Sequence, residues 1–265
     1  MINFLENIGQ SLKDWITVFV DITKLFFETV YWAVFGIFHH KPVNFKTVFE
    51  QMVYMGVQSV MIVFFVTFFT GVVIAMQLAP QFQKMGAVFY VSSMVSIAIC
   101  RELGPVLTAL VIAGRIGAAI TAEVGSMKVN EQIEALETMG INPVRYLAVP
   151  KFLALLVMLP CLTVLGDASG MFGGYVVGTT SLHINPGMYI QTTFKFLSLK
   201  DIYTGVSKPF VFAAIISMVG IYQGFKTRGG AVGVGKATTT SVVTSFIFII
   251  IADCVLTGIY FFVKF

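Results

Sequence analysis

The sequence predicts an all-α integral membrane protein, and three observations carry that prediction. Of the 265 residues, 57% are hydrophobic and 11% charged, and the mean hydropathy of +0.88 means more apolar surface than one soluble core of this size could hide. Apolar stretches of about 20 residues, the length of a bilayer-crossing helix, recur along the chain. Basic residues gather in alternate connections between them, as in a polytopic protein of fixed orientation. The length allows several crossings and their connections but no second soluble domain. Two regions follow: an N-terminal amphipathic interfacial region, 1–45, and a membrane domain, 46–265.

In the first region, Phe4, Leu5, Ile8, Leu12, Trp15, Ile16, Phe19 and Val20 fall at helical spacing. Asp14, Asp21, Lys24 and Glu28 return on the other face. Four ionisable groups would be costly at mid-bilayer, so residues 2–38 are expected to form an elbow lying on the cytoplasmic surface. His39-His40-Lys41-Pro42 ends it; adjacent histidines do not share a helix face, so no metal is expected there. Glu6 and Asp14, with no short apolar core before a cleavage site, speak against a cleavable signal, and a bacterial inner membrane is the expected destination.

Five spans are expected in the second region. Met52 to Leu78 is uncharged and is read as closed by Pro80. The second span, from Gly86 to Met127, is longer than one crossing needs and carries Arg101, Glu102 and Arg115. A polar segment, Lys128 to Lys151, leads to the third, Phe152 to Gly178. A stretch with His183, Lys195, Lys200 and Asp201 precedes the fourth, Pro209 to Gly224. A glycine-rich connector, Lys226 to Lys236, precedes the fifth, Val242 to Phe262. Lys13, Lys24, Lys41, Lys46, Lys128, Arg145, Lys151, Lys226, Arg228 and Lys236 fall on one side and Lys84, Lys195, Lys200, Lys208 and Lys264 on the other. The first side is cytoplasmic, giving an inside N-terminus and an outside C-terminus. Small residues recur every four positions at Ala109, Ala113, Gly117, Thr121 and Gly125, and at Gly166, Gly170, Gly174 and Gly178, which favours close helix packing within the chain over a dimer seam.

Several function classes are excluded. Basic residues stand singly, without a run that could track a phosphate backbone, so nucleic acid is not a partner. Cys100, Cys161 and Cys254 lie in apolar runs without metal or redox spacing. There is no GxSxG, no HExxH and no clustered Ser/His/Asp or Cys/His set, so no catalytic residues and no metal are expected. Gly230 to Ala237 nearly spells a phosphate loop, but Ala237 stands where the magnesium-binding hydroxyl belongs and no strand of a soluble domain precedes it. Nucleotide would have to bind a separate subunit.

Two segments carry candidate function. Arg101-Glu102-Leu103-Gly104-Pro105 places charges inside an apolar span before a helix-disrupting proline. It is either a buried ion pair fixing a kink, or a cavity lining in which Arg101 faces a phosphate or other anion and Glu102 shapes the pocket or gate. For Asp167 and Asp253, each a single acid in a span, helix-to-helix hydrogen bonding is favoured over proton relay. Between Asn130 and Pro143, Ile133, Leu136 and Met139 or Gly140 alternate with Glu131, Glu134 and Glu137. This gives a short cytoplasmic amphipathic helix between the second and third spans. Its glutamates match an anionic membrane poorly, so a protein partner is the better fit.

In combination, Arg101-Glu102-Leu103-Gly104-Pro105-Val106-Leu107, Ala113-Gly114-Arg115-Ile116-Gly117-Ala118-Ala119, Thr121-Ala122-Glu123-Val124-Gly125-Ser126-Met127, Glu131 to Leu136, Pro143, Pro150 and Gly230 to Gly235 followed by Ala237-Thr238-Thr239 resemble the MlaE/YrbE permease family from about residue 45 onward. The resemblance implies the permease subunit of an ABC transporter: a homodimer with two cytoplasmic ATPase subunits that use ATP and Mg, and an MCE-domain lipid-binding protein outside. Such systems move phospholipids, or in some branches sterols, between the inner membrane and the outer envelope, and this chain itself would bind no cofactor. By the same resemblance Glu131, Gln132, Ile133, Glu134, Leu136 and Met139 belong to the ATPase-coupling helix. Arg101, Glu102 and Leu103 would lie by the lipid cavity between protomers, near Met76, Gln77 and Leu78. Gly117, Gly125, Gly166, Gly170 and Gly174 would let spans two and three move as a unit. An alternative from another class is an ATP-independent channel or ion-coupled carrier using Asp167 and Asp253.

Overall fold

A computed structural model describes residues 2–35 and 45–262, with side chains from Ile16 onward. The expected stop at His39-His40-Lys41-Pro42, the side chains of Phe4 to Trp15 and Lys264 lie outside the described residues. Among those described, the regular structure is all helical, without a strand. In order come α1, Ile2–Phe35, then α2, Phe45–Lys84, and α3, Val88–Val129. The short α4, Gln132–Thr138, precedes α5, Val144–Thr180. After α6, Pro186–Phe196, come α7, Leu199–Phe225, and α8, Gly230–Phe262. The five helices α2, α3, α5, α7 and α8 are long and apolar enough to cross a membrane.

Three boundaries differ from the sequence expectation, each for a local reason. Pro80 does not close the first span; it lies inside α2, where losing one backbone bond is tolerated near a helix end. The chain turns instead at Gly86, in the left-handed region with φ +68°. The fourth span begins ten residues before Pro209, because Ser198 and Asp201 form a capping box: the Asp201 amide donates to Ser198 Oγ (3.2 Å) and the Ser198 amide to Asp201 Oδ2 (3.1 Å). Lys208, expected on the outer side, therefore lies within α7. The expected connector through Lys236 is mostly helix, since Gly229 (φ +89°) and Gly230 (φ +68°) reverse the chain at once and α8 starts at Gly230. The phosphate-loop look-alike is thereby wound into a helix.

The bundle is organised around α5 and α7, which are largely buried, while α2 and α8 expose most of their apolar surface. The α5 glycines make this possible. A Cβ on Gly71 of α2 would fall 1.9 Å from the Gly170 carbonyl oxygen, and one on Gly173 would fall 2.2 Å from that of Phe68, so α2 and α5 meet backbone to backbone. Ile112 and Ile116 of α3, Leu155 and Leu159 of α5, and Phe212 and Ile216 of α7 fill the core. At the α4 end, α1 packs through buried Ile22 and the partly buried Val18, Leu25, Phe26 and Val30. Two of its acids bond across to the bundle. Asp21 accepts from Tyr222 Oη (3.2 Å) and Lys226 Nζ (3.4 Å), and Glu28 from Asn142 Nδ2 (3.3 Å). Ile16, Phe19 and Val20 face outward.

Candidate functional site

The site starts from the winding of α3. Over Ile99–Leu103 and again over Ala113–Gly117 the helix widens into a π turn. The first lies immediately before Pro105, whose ring would otherwise press on the carbonyl of Arg101 four residues back. This local widening points the two neighbouring charges at different partners. Arg101 Nη1 lies 3.9 Å from Asp201 Oδ1 at the start of α7, whereas Glu102 Oε2 accepts from Lys208 Nζ at 2.5 Å. They are not paired with each other, which corrects the kink-fixing ion pair considered from sequence.

Lys208 organises the rest. Its ammonium also donates to Asp253 Oδ1 of α8 (2.8 Å) and to Thr257 Oγ1 (2.9 Å), so all three of its protons have acceptors. The Thr257 hydroxyl in turn donates to Glu102 (3.2 Å). Asp253, a single acid in the sequence, is thus one of two carboxylates on one lysine. The Lys208 side chain is 1% exposed, while Glu102 keeps 35% and Asp253 22%. The cation is sealed in and its acids reach the edge of the bundle. Counting Arg101 and Lys208 (+2) against Glu102, Asp201 and Asp253 (−3) leaves the group at −1. Such a network ties α3, α7 and α8 together across apolar helices. Sequence reading missed Lys208; the signal that could have found it is the Ser198-Leu199-Lys200-Asp201 capping box, which starts the helix early enough to include it.

The other expected cavity residues lie elsewhere. Met76 and Gln77 point outward from α2, and Leu78 packs against Ala75, Val91, Val95, Ile99 and Val177. Among the described residues no hydrogen bond or ion pair joins them to Arg101, Glu102 or Leu103, itself half-buried. Asp167 remains single: it is buried against Gly104, where a Cβ would fall 1.7 Å from Oδ1, and neither that oxygen nor Thr108 Oγ1 has a hydrogen-bond partner among the described residues.

The small-residue stripes face different neighbours. Gly117 meets Ile216 of α7 and Gly125 meets Thr227, and the Thr121 hydroxyl donates to the Gly220 carbonyl (3.0 Å). Gly166, Gly170 and Gly174 of α5 sit instead against Thr108, Ile99 and Val95 of α3, with Thr67 of α2 touching the first two and Tyr189 of α6 the third. Cys100 is buried, Cys161 and Cys254 lie on the outside of the bundle, and all three are free. Among the described residues no group of three His, Cys, Asp or Glu could hold a metal.

Beyond the far end of α3, Glu131 takes a left-handed backbone (φ 57°) that ends α3 and starts α4. Ile133 and Leu136 are buried, while Glu131, Gln132, Glu137 and Met139 are exposed. Glu134 is held by Lys128, a hydrogen bond that keeps its carboxyl below the ordinary glutamate range. A small cavity of about 300 Å³ opens beside α4, lined among others by Glu28, Glu137, Asn142 and Phe225.

Five membrane-length helices with ionised side chains inside the bundle define a multi-pass membrane protein. Residues 48–259 match the family model described as Permease MlaE. A probable ABC transporter permease protein of Rickettsia bellii is 40% identical over 220 residues, covering 83% of this chain and 85% of that one. One of Synechocystis sp. is 40% identical over 219 residues, 83% of each chain. One of Pyropia yezoensis is 34% identical over 246 residues, covering 93% of this chain and 92% of that one. The chain belongs to the MlaE permease family, the permeases of ABC transporters.

Proposed function

We propose that this permease carries phospholipids between the inner membrane and the outer envelope as a homodimer. ATP and Mg are used by separate cytoplasmic ATPase subunits, an MCE-domain protein receives or delivers the lipid outside, and this chain catalyses no reaction. The observation that carries the coupling is the form of α4. A seven-residue helix anchored by Ile133 and Leu136 presents Glu131, Gln132, Glu137 and Met139 outward at one end of the bundle, an acidic knob for a protein rather than an anionic membrane. Its push would reach α3 through the Lys128–Glu134 pair and α5 through Lys151–Glu123, and α3 carries Arg101 and Glu102. In this reading the Glu102–Lys208–Asp253 network is the polar latch whose opening admits or releases a headgroup beside Met76, Gln77 and Leu78 of the neighbouring protomer. In this reading the N-terminus lies in the cytoplasm and the C-terminus outside.

The test uses the complete complex in vesicles, with transport read as transfer of fluorescent phospholipid and ATP hydrolysis followed in parallel. Glu137→Lys reverses an exposed charge without touching the Lys128–Glu134 pair, which the more obvious Glu134→Lys would break. Hydrolysis should persist while transfer falls at least tenfold. Unchanged transfer would remove α4 as the coupling element, and transfer by the chain without an ATPase would replace the whole reading with an independent carrier.

A further inference from the structure

The cations more than two turns inside a membrane-length helix are Arg101, Arg115 and Lys208. Arg101 has Asp201 and Lys208 has Glu102 and Asp253. Arg115 alone has no carboxylate within 4.0 Å among the described residues. Its contacts are neutral: Nη1 donates to Ser59 Oγ (2.5 Å) and Nη2, at 3.5 Å, to Gln58 Oε1. Ser59 Oγ spends its own proton on the Met55 carbonyl (2.6 Å), so it offers the guanidinium only a lone pair. Of five N–H donors two are met, leaving three.

Both helices depart from regular winding where they meet. Arg115 stands in the π turn Ala113–Gly117 of α3, and Gln58 and Ser59 form the tight turn Val57–Ser59 that interrupts α2. Glu123, paired with the buried Lys151, lies eight residues further toward the α4 end, so Arg115 is about 12 Å deeper in the bundle. The side chain is half-buried, and Val57, Val60 and Met61, beside Gln58 and Ser59 along α2, are exposed. A cation there, without a counter-charge, is expensive unless an anion joins it.

We propose that Arg115, with Gln58 and Ser59, is a seat for the phosphodiester of a membrane lipid on the α4 half of the bundle, separate from the Glu102–Lys208–Asp253 network. The anion comes from a lipid because, among the described residues, a second copy has no spare acid at this depth. Glu102, Asp253 and Glu123 are engaged by lysines, Asp167 is buried, and the exposed Glu50 lies nine residues, about 13 Å, nearer the end of α2. A guanidinium grips a phosphodiester through paired N–H donors, and the flanking apolar side chains suit its acyl chains. This inference rests on the lipid-carrier reading and adds to it a position at which the headgroup is held before it reaches the charged network.

The test reads binding, not transport. The full chain, wild type and variants, is purified in detergent with an equimolar mixture of dioleoyl phosphatidylglycerol, dioleoyl phosphatidylcholine and dioleoylglycerol, and retained lipid is counted by native mass spectrometry. Wild type should retain both phosphodiester lipids at least tenfold over dioleoylglycerol, with added inorganic phosphate unable to displace them. Arg115→Gln should lose that preference about tenfold, Ser59→Ala should lose part of it, and Lys236→Gln, at an exposed position, should keep it. Should Arg115→Gln fail to fold, Arg115→Lys, which keeps the charge without the fork, should show an intermediate preference. The same preference in Arg115→Gln, or displacement by inorganic phosphate, overturns the seat and leaves the transporter reading standing. A shift of Arg115→Gln to a smaller oligomer with lipid retention unchanged overturns it in favour of a contact between copies. Wild type without any phosphodiester preference would defeat both.

Discussion

Replacing Lys208 with Met keeps an unbranched side chain, one atom shorter, and removes the charge that holds α3, α7 and α8 together. The structure sets the size of the effect. Lys208 is 1% exposed and donates to Glu102, Asp253 and Thr257, so the variant leaves two carboxylates facing one another with their shared cation gone. Breaking a fully buried pair by removing one partner costs about 3–5 kcal/mol. Glu102 and Asp253 keep 35% and 22% of their side-chain surface, so water screens part of the repulsion and about 3 kcal/mol is the reasonable figure. For a chain of this size that lowers the apparent melting temperature by roughly 5–10 °C. The assay is thermal unfolding in detergent, followed by the surviving monodisperse fraction. The triple variant Lys208→Met, Glu102→Gln, Asp253→Asn removes the orphaned charges as well and should recover at least half of the loss, since an uncharged polar cluster carries no such repulsion. A Lys208→Met protein as stable as wild type, or a triple variant worse than the single, would refute the argument that the lysine is the stabilising centre of the network.

Other outcomes follow from particular contacts. Gly71→Ala places a Cβ 1.9 Å from the Gly170 carbonyl oxygen, with backbone on both sides and nothing able to yield; it should lower the melting temperature clearly, while Gly258→Ala, with nothing within 4 Å, should leave it unchanged. The carboxyl of Glu134 is held below its ordinary value of 4.5 by Lys128. That depressed value means the contribution is complete above about pH 4.5 and fades as pH falls through the folded value. The protection of the α4 amides against exchange, taken relative to the intrinsic rate at each pH, should therefore fall below pH 4.5 in wild type, and this step should be missing in Glu134→Gln. Asp21→Asn weakens the hold of α1 on Tyr222 and Lys226. With both charges substantially exposed the loss should stay at or below about 1 kcal/mol, visible as faster limited proteolysis of α1 with an unchanged global melt.

Much of this was legible because membrane helices are written in composition. Lipid can satisfy neither charge nor backbone, so an apolar run of spanning length can be little but a helix, and the five spans and the short α4 with its buried Ile133 and Leu136 were visible from the chain alone. So were the stripes of Gly166, Gly170 and Gly174, whose four-residue return is a local property. The family, too, was carried by local motifs around Arg101 and Arg115.

What only the tertiary structure decided is which charges meet. Glu102, Lys208 and Asp253 are 106 and 45 residues apart in pairs, and nothing in their neighbourhoods distinguishes Asp253, which is paired, from Asp167, which is not. Sequence proximity even pointed the wrong way, joining Arg101 to Glu102 when the π turn before Pro105 sends them to different partners, Asp201 and Lys208, about two turns apart on α7. A span is determined by the transfer energy of its own residues, additively and locally. An ion pair inside a bundle is determined by helix rotation, and a single extra residue in one turn rotates everything that follows it by about 100°.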